Sequence, residues 1–90
     1  MAEQTEDYAA AEMITSPQLR AARALLGWSQ RDLAAAAGLT VDHIKAIESG
    51  RLDPRASMLA QIEEAFRRHD VVFLDPDDVT PGGYGVRFRR

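Results

Sequence analysis

The chain has 90 residues, a net charge of −3 and no cysteine. This length allows one domain with a small core, and the absence of cysteine excludes disulfides and thiolate metal sites. No apolar stretch approaches the roughly 20 residues of a membrane-spanning helix, and no secretory signal is recognisable. We therefore expect no membrane partner. Since His43 and His69 lie far apart in sequence, no metal-ligand spacing exists, and we expect no cofactor.

The charge is unevenly distributed along the chain. Residues 1–16 carry four acidic side chains, residues 17–69 carry eight basic and six acidic ones, and residues 70–90 carry four acidic and three basic ones. The central segment is therefore mildly basic, a weaker signal than the basic patch of an obvious nucleic-acid binder. We expect a flexible acidic arm at residues 1–15, a folded domain at residues 16–69 and a distinct tail at residues 70–90.

A first helix is predicted to begin at Ser16, because serine can cap a helix and Pro17 suits the first helical position. It is predicted to end at Gly27, since glycine adopts the left-handed conformation that closes many helices. Helical spacing predicts an apolar face made of Leu19, Ala22, Leu25 and Leu26.

A second helix follows directly. Ser29 is predicted to cap it, with the Asp32 carboxylate accepting in return from the Ser29 N–H. The alanines at residues 34–37 favour helix and leave room for another helix to approach closely. Gly38 is predicted to end this helix, and its inward-facing residues are predicted to be Leu33, Ala34 and Ala37.

Thr40 is predicted to cap a third helix, which stops at Gly50. Ile44 and Ile47 lie on one face of this helix. The opposite side is predicted to carry Asp42, Lys45, Ala46 and Ser49. A loop at residues 51–55 follows.

A fourth helix is predicted to begin after Ser57. Its apolar stripe is predicted to comprise Met58, Leu59, Ile62, Ala65 and Phe66. Residues 71–74 and 84–90 are rich in β-forming side chains and predict a two-stranded ribbon. Within the second strand, Val86 and Phe88 are expected to face inward and Arg87 and Arg89 outward.

The ribbon is predicted to be the dimerisation element, because a two-stranded ribbon is marginal alone in water and its edges invite pairing. The alternative dimer interface is the helix around residues 58–69. Since a single hairpin is marginal alone, the ribbon must either pack on the helices or pair with a second chain.

Two helices joined by a short break that contains glycine form a helix-turn-helix unit. Residues 29–50, SQRDLAAAAGLTVDHIKAIESG, resemble the phage lambda-type and Cro-type repressor family, also called the xenobiotic-response-element family of regulators. The resemblance extends over about residues 17–69 and implies a mainly α fold. The expected architecture is a compact four- to five-helix lambda-repressor-like bundle with a short C-terminal two-stranded β-ribbon.

The resemblance also implies a function. The implied function is that of a dimeric transcriptional repressor that reads a palindromic operator in double-stranded DNA. The implied localisation is cytoplasmic and nucleoid-associated, in a bacterial or phage setting. The helix at residues 40–49 would enter the major groove, and Gln30 would hold a phosphate. The DNA-binding residues predicted on this basis are Gln30, Thr40, Val41, Asp42, Lys45, Ala46, Ser49, Arg51 and Arg55.

The chemistry of these side chains agrees in part. Lys45 can donate to guanine O6 or N7, and Val41 can contact a thymine methyl group. Asp42 is discordant, because a carboxylate is repelled by phosphate and can accept only from a donor such as cytosine N4. Asp42 therefore either selects a base or weakens binding.

The resemblance places one ion pair inside the bundle, between Arg23 and Glu48. A guanidinium and a carboxylate can form two parallel hydrogen bonds. We predict this pair to be structural rather than DNA-binding.

The alternatives to a regulator are a protein-binding adaptor and an enzyme. A protein-binding adaptor, such as an antitoxin or antiactivator, would suit the acidic net charge, Asp42 and the acidic arm, and a tail strand could pair with a protein partner. An enzyme is not expected, because no nucleophile beside a base and no glycine-rich phosphate loop is recognisable.

Overall fold

The computed structural model describes residues 14–76 and 82–89. These residues form four helices and one antiparallel two-stranded sheet, which confirms the predicted mainly α fold with a C-terminal ribbon. The elements are α1 (Ser16–Leu26), α2 (Gln30–Ala37), α3 (Val41–Glu48), α4 (Ala56–Arg67), β1 (Val71–Leu74) and β2 (Gly85–Phe88). Most of the predicted acidic arm, at residues 1–13, lies outside the described residues, as does Arg90.

The cap of α1 is Thr15, so the prediction of Ser16 as the cap is wrong. The Thr15 hydroxyl accepts from the Gln18 N–H at 3.3 Å, and the Gln18 side-chain oxygen accepts from the Thr15 N–H at 2.8 Å. This reciprocal box requires an acceptor three residues after the cap. Gln18 supplies it for Thr15, whereas Leu19 could not supply it for Ser16.

The caps of the next two helices are confirmed. The Ser29 hydroxyl accepts from the Asp32 N–H, and the Asp32 carboxylate accepts from the Ser29 N–H, both at 3.0 Å. The Thr40 hydroxyl accepts from the His43 N–H at 3.1 Å. Gly27 and Gly38 close α1 and α2 with φ of 67° and 72°, the left-handed region that favours glycine.

The apolar core lies where the helical spacing predicts it, with one exception on α1. Leu19 and Ala22 are fully buried and Leu26 packs against the core, whereas Leu25 is 38% exposed. An α-helix turns about 100° per residue, so Leu25 points well away from Leu19 and Leu26. Leu25 was therefore wrongly predicted to face inward. The core residues on the other helices are Leu33, Ala34, Ala37, Ile44, Ile47, Leu59, Ile62, Ala65 and Phe66.

Helix α4 begins at Ala56, two residues before the predicted start after Ser57. Its cap position is Arg55, which makes no side-chain capping bond. The Leu59 N–H donates to the Arg55 carbonyl at 3.1 Å and closes the first turn there. Backbone bonding, rather than a capping side chain, therefore sets this start.

The ribbon packs its apolar face on the helices. Val71 pairs with Phe88 and Phe73 with Val86, and Val71 is 1% exposed. The other three side chains pack against the core, while Arg87 and Arg89 are exposed, which confirms the predicted facing. The ribbon is therefore docked on the bundle through alternate residues of both strands.

Aromatic rings join the first helix junction to the ribbon. The Trp28 ring lies 5.3 Å from the Phe66 ring and 4.9 Å from the His69 ring, between centroids. The Phe66 ring meets the Phe73 ring edge-on at 5.5 Å. These spacings are in the favourable range for aromatic pairs, and they anchor β1 to the end of α4.

Candidate nucleic-acid interface

Helix α3 presents two different faces. Ile44 and Ile47 are buried, whereas Asp42, Lys45 and Ser49 are exposed on the opposite side. Thr40, at the start of the helix, is exposed as well. These four side chains therefore line one accessible strip of the surface, which we call the α3 outer face.

The two apolar residues predicted to reach base edges lie at the border of this strip. Val41 is half-buried and packs against the core, and Ala46 is half-buried. Part of the Val41 side chain is therefore engaged inside the bundle, which leaves less of it for a thymine methyl group. The polar members of the predicted set are the more accessible ones.

A second cluster of predicted residues lies at the C-terminal end of α3. The Ser49 hydroxyl donates to the Ala46 carbonyl at 3.2 Å, and the Arg51 Nε donates to the Ser49 hydroxyl at 3.1 Å. Gly50, with φ of 81°, turns the chain between them. The structure thus holds the Arg51 guanidinium beside the end of α3, with Arg55 exposed further along the loop.

Gln30, which is predicted to hold a phosphate, is partly engaged within the bundle. It is the first residue of α2 and is half-buried. Its amide nitrogen donates to Glu48 Oε1 at 3.1 Å, so one of its two N–H groups is engaged within the bundle. The other N–H remains as the donor that a phosphate contact would need.

Arg23 and Glu48 lie together in a bidentate ion pair. Arg23 Nε donates to Glu48 Oε2 at 2.6 Å and Arg23 Nη2 donates to Glu48 Oε1 at 2.9 Å. The side chains are 18% and 4% exposed, respectively. Arg23 Nη1 also donates to the Trp28 carbonyl at 3.0 Å, so this one pair links α1, the α1–α2 junction and α3.

Two side chains of α1 form hydrogen bonds with the last turn of α3. The Ser16 hydroxyl donates to the Ile47 carbonyl and Arg20 Nη1 donates to the Glu48 carbonyl, each at 2.9 Å. The last carbonyls of a helix have no intrahelical partner and need such donors. Sequence reasoning missed both roles, because the partners are 31 and 28 residues apart and leave no local signal.

The described residues offer neither a metal site nor a membrane-spanning helix. Within residues 14–76 and 82–89, no group of three or more histidine, cysteine, aspartate or glutamate side chains could hold a metal ion. No helix in that part of the chain is both long enough and apolar enough to cross a membrane. The α3 outer face and the adjoining Ser49–Arg51 contact are therefore the candidate site that the described residues offer.

Comparison with known proteins agrees with this geometry. The helix-turn-helix family model matches residues 19–72, from α1 to the start of β1. An uncharacterized HTH-type transcriptional regulator of Sinorhizobium fredii, y4dL, is 46% identical over 48 residues, which are 53% of this chain and 24% of that protein. The chain thus spans about a quarter of this relative's length. Because the family model covers more than half of the chain, the protein belongs to the helix-turn-helix family of the lambda and Cro type.

Proposed function

We propose that the protein is a sequence-specific DNA-binding transcriptional regulator that inserts α3 into the major groove. The observation that supports this most directly is the α3 outer face, which is exposed while the opposite face of the helix is buried. A helix presented in this way can enter the major groove of B-DNA, which is wide enough to admit it. It acts by binding, without catalysis.

Contacts within the complex divide into base-reading and backbone-holding ones. Lys45 donates to guanine O6 or N7, and the exposed part of Val41 contacts a thymine methyl group. Arg51 and Arg55 donate to phosphates at the end of α3, and Ser49 does so when its hydroxyl hydrogen turns from the Ala46 carbonyl to a phosphate. Thr40, Asp42 and Ala46 complete the surface that meets the groove, and Gln30 contributes its second N–H to a phosphate.

The regulator is proposed to act as a homodimer on a palindromic operator, as a repressor in the cytoplasm. One protomer offers few cations beside α3, namely Lys45, Arg51, Arg55 and Arg20, whose guanidinium contacts the Glu48 carbonyl. Specific binding by a dimer adds the contacts of a second half-site, centred about 34–36 Å away on the same face of the duplex. The ribbon, at residues 70–90, is proposed to join the two copies.

Selection of binding sites from a random DNA pool tests the base-reading role. The wild-type protein is expected to enrich a palindrome, and Lys45→Ala is expected to weaken binding to it by roughly 5- to 100-fold, the range for one good base contact. Arg67→Ala is the matched control, because it removes an exposed cation from α4 that pairs with Glu64 at 2.8 Å. The control is expected to bind as the wild type does.

Two results would overturn the proposal. Equal affinity of the wild-type protein for selected and random DNA at moderate salt would remove sequence-specific recognition. Equal losses for Lys45→Ala and Arg67→Ala would remove the special role of the α3 outer face, since only overall charge would then matter. Capture of one stoichiometric protein partner without DNA would favour the adaptor instead.

Deletion of residues 72–90 tests the dimer interface. The deletion keeps Val71, which belongs to the core. It removes the pairing between β1 and β2 and with it the strand edges that could pair with a second copy. The shortened chain is expected to be monomeric by size-exclusion chromatography with light scattering, with its helical circular dichroism retained. A dimer that survives the deletion would place the interface on α4, around residues 58–69.

A further inference from the structure

Gln18 is a buried polar residue with its whole amide group engaged. The residue is 4% exposed, and its side-chain oxygen accepts from the Thr15 N–H in the cap of α1. Its amide nitrogen donates to two carbonyls on different strands, those of Leu74 at 3.0 Å and Gly85 at 2.9 Å. Both N–H groups of one amide therefore bind the two strands of the ribbon, while the oxygen binds the helix.

These contacts are made at one particular end of the ribbon. Leu74 and Gly85 face each other as the pair farthest from α4, whereas Val71 and Phe88 form the pair nearest to it. The near end is attached to α4 by the short link at residues 68–70 and by the buried Val71 side chain, whereas the edge-on contact of Phe66 with Phe73 lies one residue from the far end. Gln18 anchors the far end, which lies about 10 Å along the strands from the near end.

The same turns of α1 hold the end of α3. Ser16 and Arg20, which flank Gln18 in sequence, donate to the carbonyls of Ile47 and Glu48. The first two turns of α1 thus contact the ribbon on one side and the end of the proposed recognition helix on the other. Any change in the angle between the ribbon and the bundle alters the position of the ribbon relative to α3.

We infer that Gln18 is a positioning residue that sets the angle of the ribbon relative to α3 and thereby selects the half-site spacing that the dimer accepts. This inference rests on the proposed function, in which the ribbon joins two copies and α3 reads each half-site. Gln18 contacts no DNA in this arrangement. It acts through the rigidity of the connection between the dimer interface and the reading helix.

The distance between two half-sites on a DNA duplex is a sensitive measure of that rigidity. One added base pair moves a half-site by about 3.4 Å along the axis and by about 35° around it. A hydrogen bond with an N···O distance near 3 Å tolerates only a few tenths of an ångström. A dimer whose ribbons are held at both ends therefore accepts one spacing, whereas a dimer with ribbons free at the far end accommodates several.

The test compares operators that carry the same two selected half-sites separated by spacers of different length. The wild-type protein is expected to prefer one spacer over its neighbours, longer or shorter by one base pair, by about tenfold or more, as two rigidly linked half-site readers should. Gln18→Met keeps the side-chain length without the amide, and it is expected to reduce that preference below about threefold. Its affinity for a single half-site is expected to stay unchanged.

Gln61→Met is the matched control. Gln61 also donates its amide nitrogen to a backbone carbonyl, that of Ala37 at 3.1 Å, but this bond joins α4 to α2 and does not involve the ribbon. The control is expected to keep the full spacing preference. Gln18→Asn, whose amide is too short to reach the strands, provides a second variant if Gln18→Met does not fold, and it is expected to lose the spacing preference too.

The outcomes separate this inference from the function on which it rests. A folded Gln18 variant that keeps the wild-type spacing preference overturns the positioning role. A uniform loss at every spacer and at the single half-site also overturns it, because a merely destabilised protein behaves in that way. A dimeric wild-type protein that is indifferent to spacing also overturns the positioning role, whereas a monomeric wild-type protein contradicts the proposed dimeric function instead.

Discussion

Glu48 and Asp42 are two carboxylates on one eight-residue helix, and they have opposite surroundings. Glu48 is buried and accepts three side-chain hydrogen bonds, two from Arg23 and one from Gln30. Asp42 is exposed on the α3 outer face. Helix α3 is therefore divided lengthwise, since one side holds the helix in the bundle and the other is exposed.

Asp32 on α2 shares one property with each of these carboxylates. Its side chain is exposed, like that of Asp42, but it accepts from the Ser29 N–H within the cap of its own helix. That bond, together with the hydrogen bonding of the Ser29 side chain, lowers the pKa of the Asp32 carboxyl below its ordinary value. Local sequence alone is sufficient to create this environment, whereas the surroundings of Glu48 require three helices.

The largest expected effect comes from removing the buried carboxylate. Glu48→Ala leaves the Arg23 guanidinium without its partner in a largely buried site, which should cost ~3–5 kcal/mol of unfolding free energy. For a domain of this size, that corresponds to a fall in Tm of roughly 12 °C or more. Thermal unfolding followed by circular dichroism measures it.

Asp42→Ala is the control on the same helix. Since Asp42 is exposed, its removal should change the unfolding free energy by no more than ~0.5 kcal/mol. Similar small shifts for both variants would contradict the assignment of Glu48 as the structural carboxylate and would erase the contrast between the two faces.

A smaller effect is expected on DNA affinity. Asp42→Asn removes a negative charge from the α3 outer face, so repulsion from nearby phosphates falls, and binding to random DNA should tighten by about two- to fivefold near 0.1 M salt. The gain should shrink as salt rises, because screening reduces the repulsion that is being relieved. Fluorescence polarisation titrations at several salt concentrations measure both effects.

The alternative role of Asp42 has a different signature. If the Asp42 carboxylate accepts from cytosine N4, Asp42→Ala, which has no acceptor, would lose affinity only for operators with cytosine at one position. Such a loss, with no gain on random DNA, would mean that the outer face reads a base through Asp42 and would refute the repulsion account.

The smallest effect concerns the cap of α2. Ser29→Ala removes the side-chain bond of the cap and should raise the pKa of Asp32 towards its ordinary value, measured by the carboxyl carbon shift during an NMR titration. Because the folded-state pKa of Asp32 is lowered, its contribution to stability is present above the ordinary pKa and is lost as the pH falls through the lowered one.

Ser49→Ala is the matched control for this titration. The Ser49 hydroxyl contacts the Ala46 carbonyl and Arg51, on the next helix and its loop, so the Asp32 titration should be unaffected. An Asp32 pKa that is the same in the wild-type protein and in Ser29→Ala would show that the Ser29 side chain does not contribute to the lowering, which would then come from the backbone N–H of residue 29.

Much of the helical framework could be predicted because its signals are local. The caps at Ser29 and Thr40, the closing glycines at residues 27 and 38, and the alternation of the ribbon each depend on residues within one turn or one strand. The error at the start of α1 was local too, since Thr15 and Ser16 are both good caps and the reciprocal partner at residue 18 decided between them.

The candidate site was predictable only in part. Spacing on the helix placed Asp42, Lys45 and Ser49 on one side of α3 and Ile44 and Ile47 on the other. The engagement of Gln30 with Glu48, and the support of the α3 end by Ser16 and Arg20, depend on contacts between helices. No short stretch of sequence encodes the distance between two helices.

The sequence by itself therefore determined where the helices and strands lie and which faces they bury, because capping bonds and apolar periodicity act over a few residues. Only the tertiary structure decided which side chains at the border of the apolar faces became internal. Gln18 and Leu25 show this most clearly, since they are seven residues apart and lie on nearly the same side of α1. The ribbon covers the glutamine and leaves the leucine exposed, because burial depends on what packs against a side chain as well as on its own polarity.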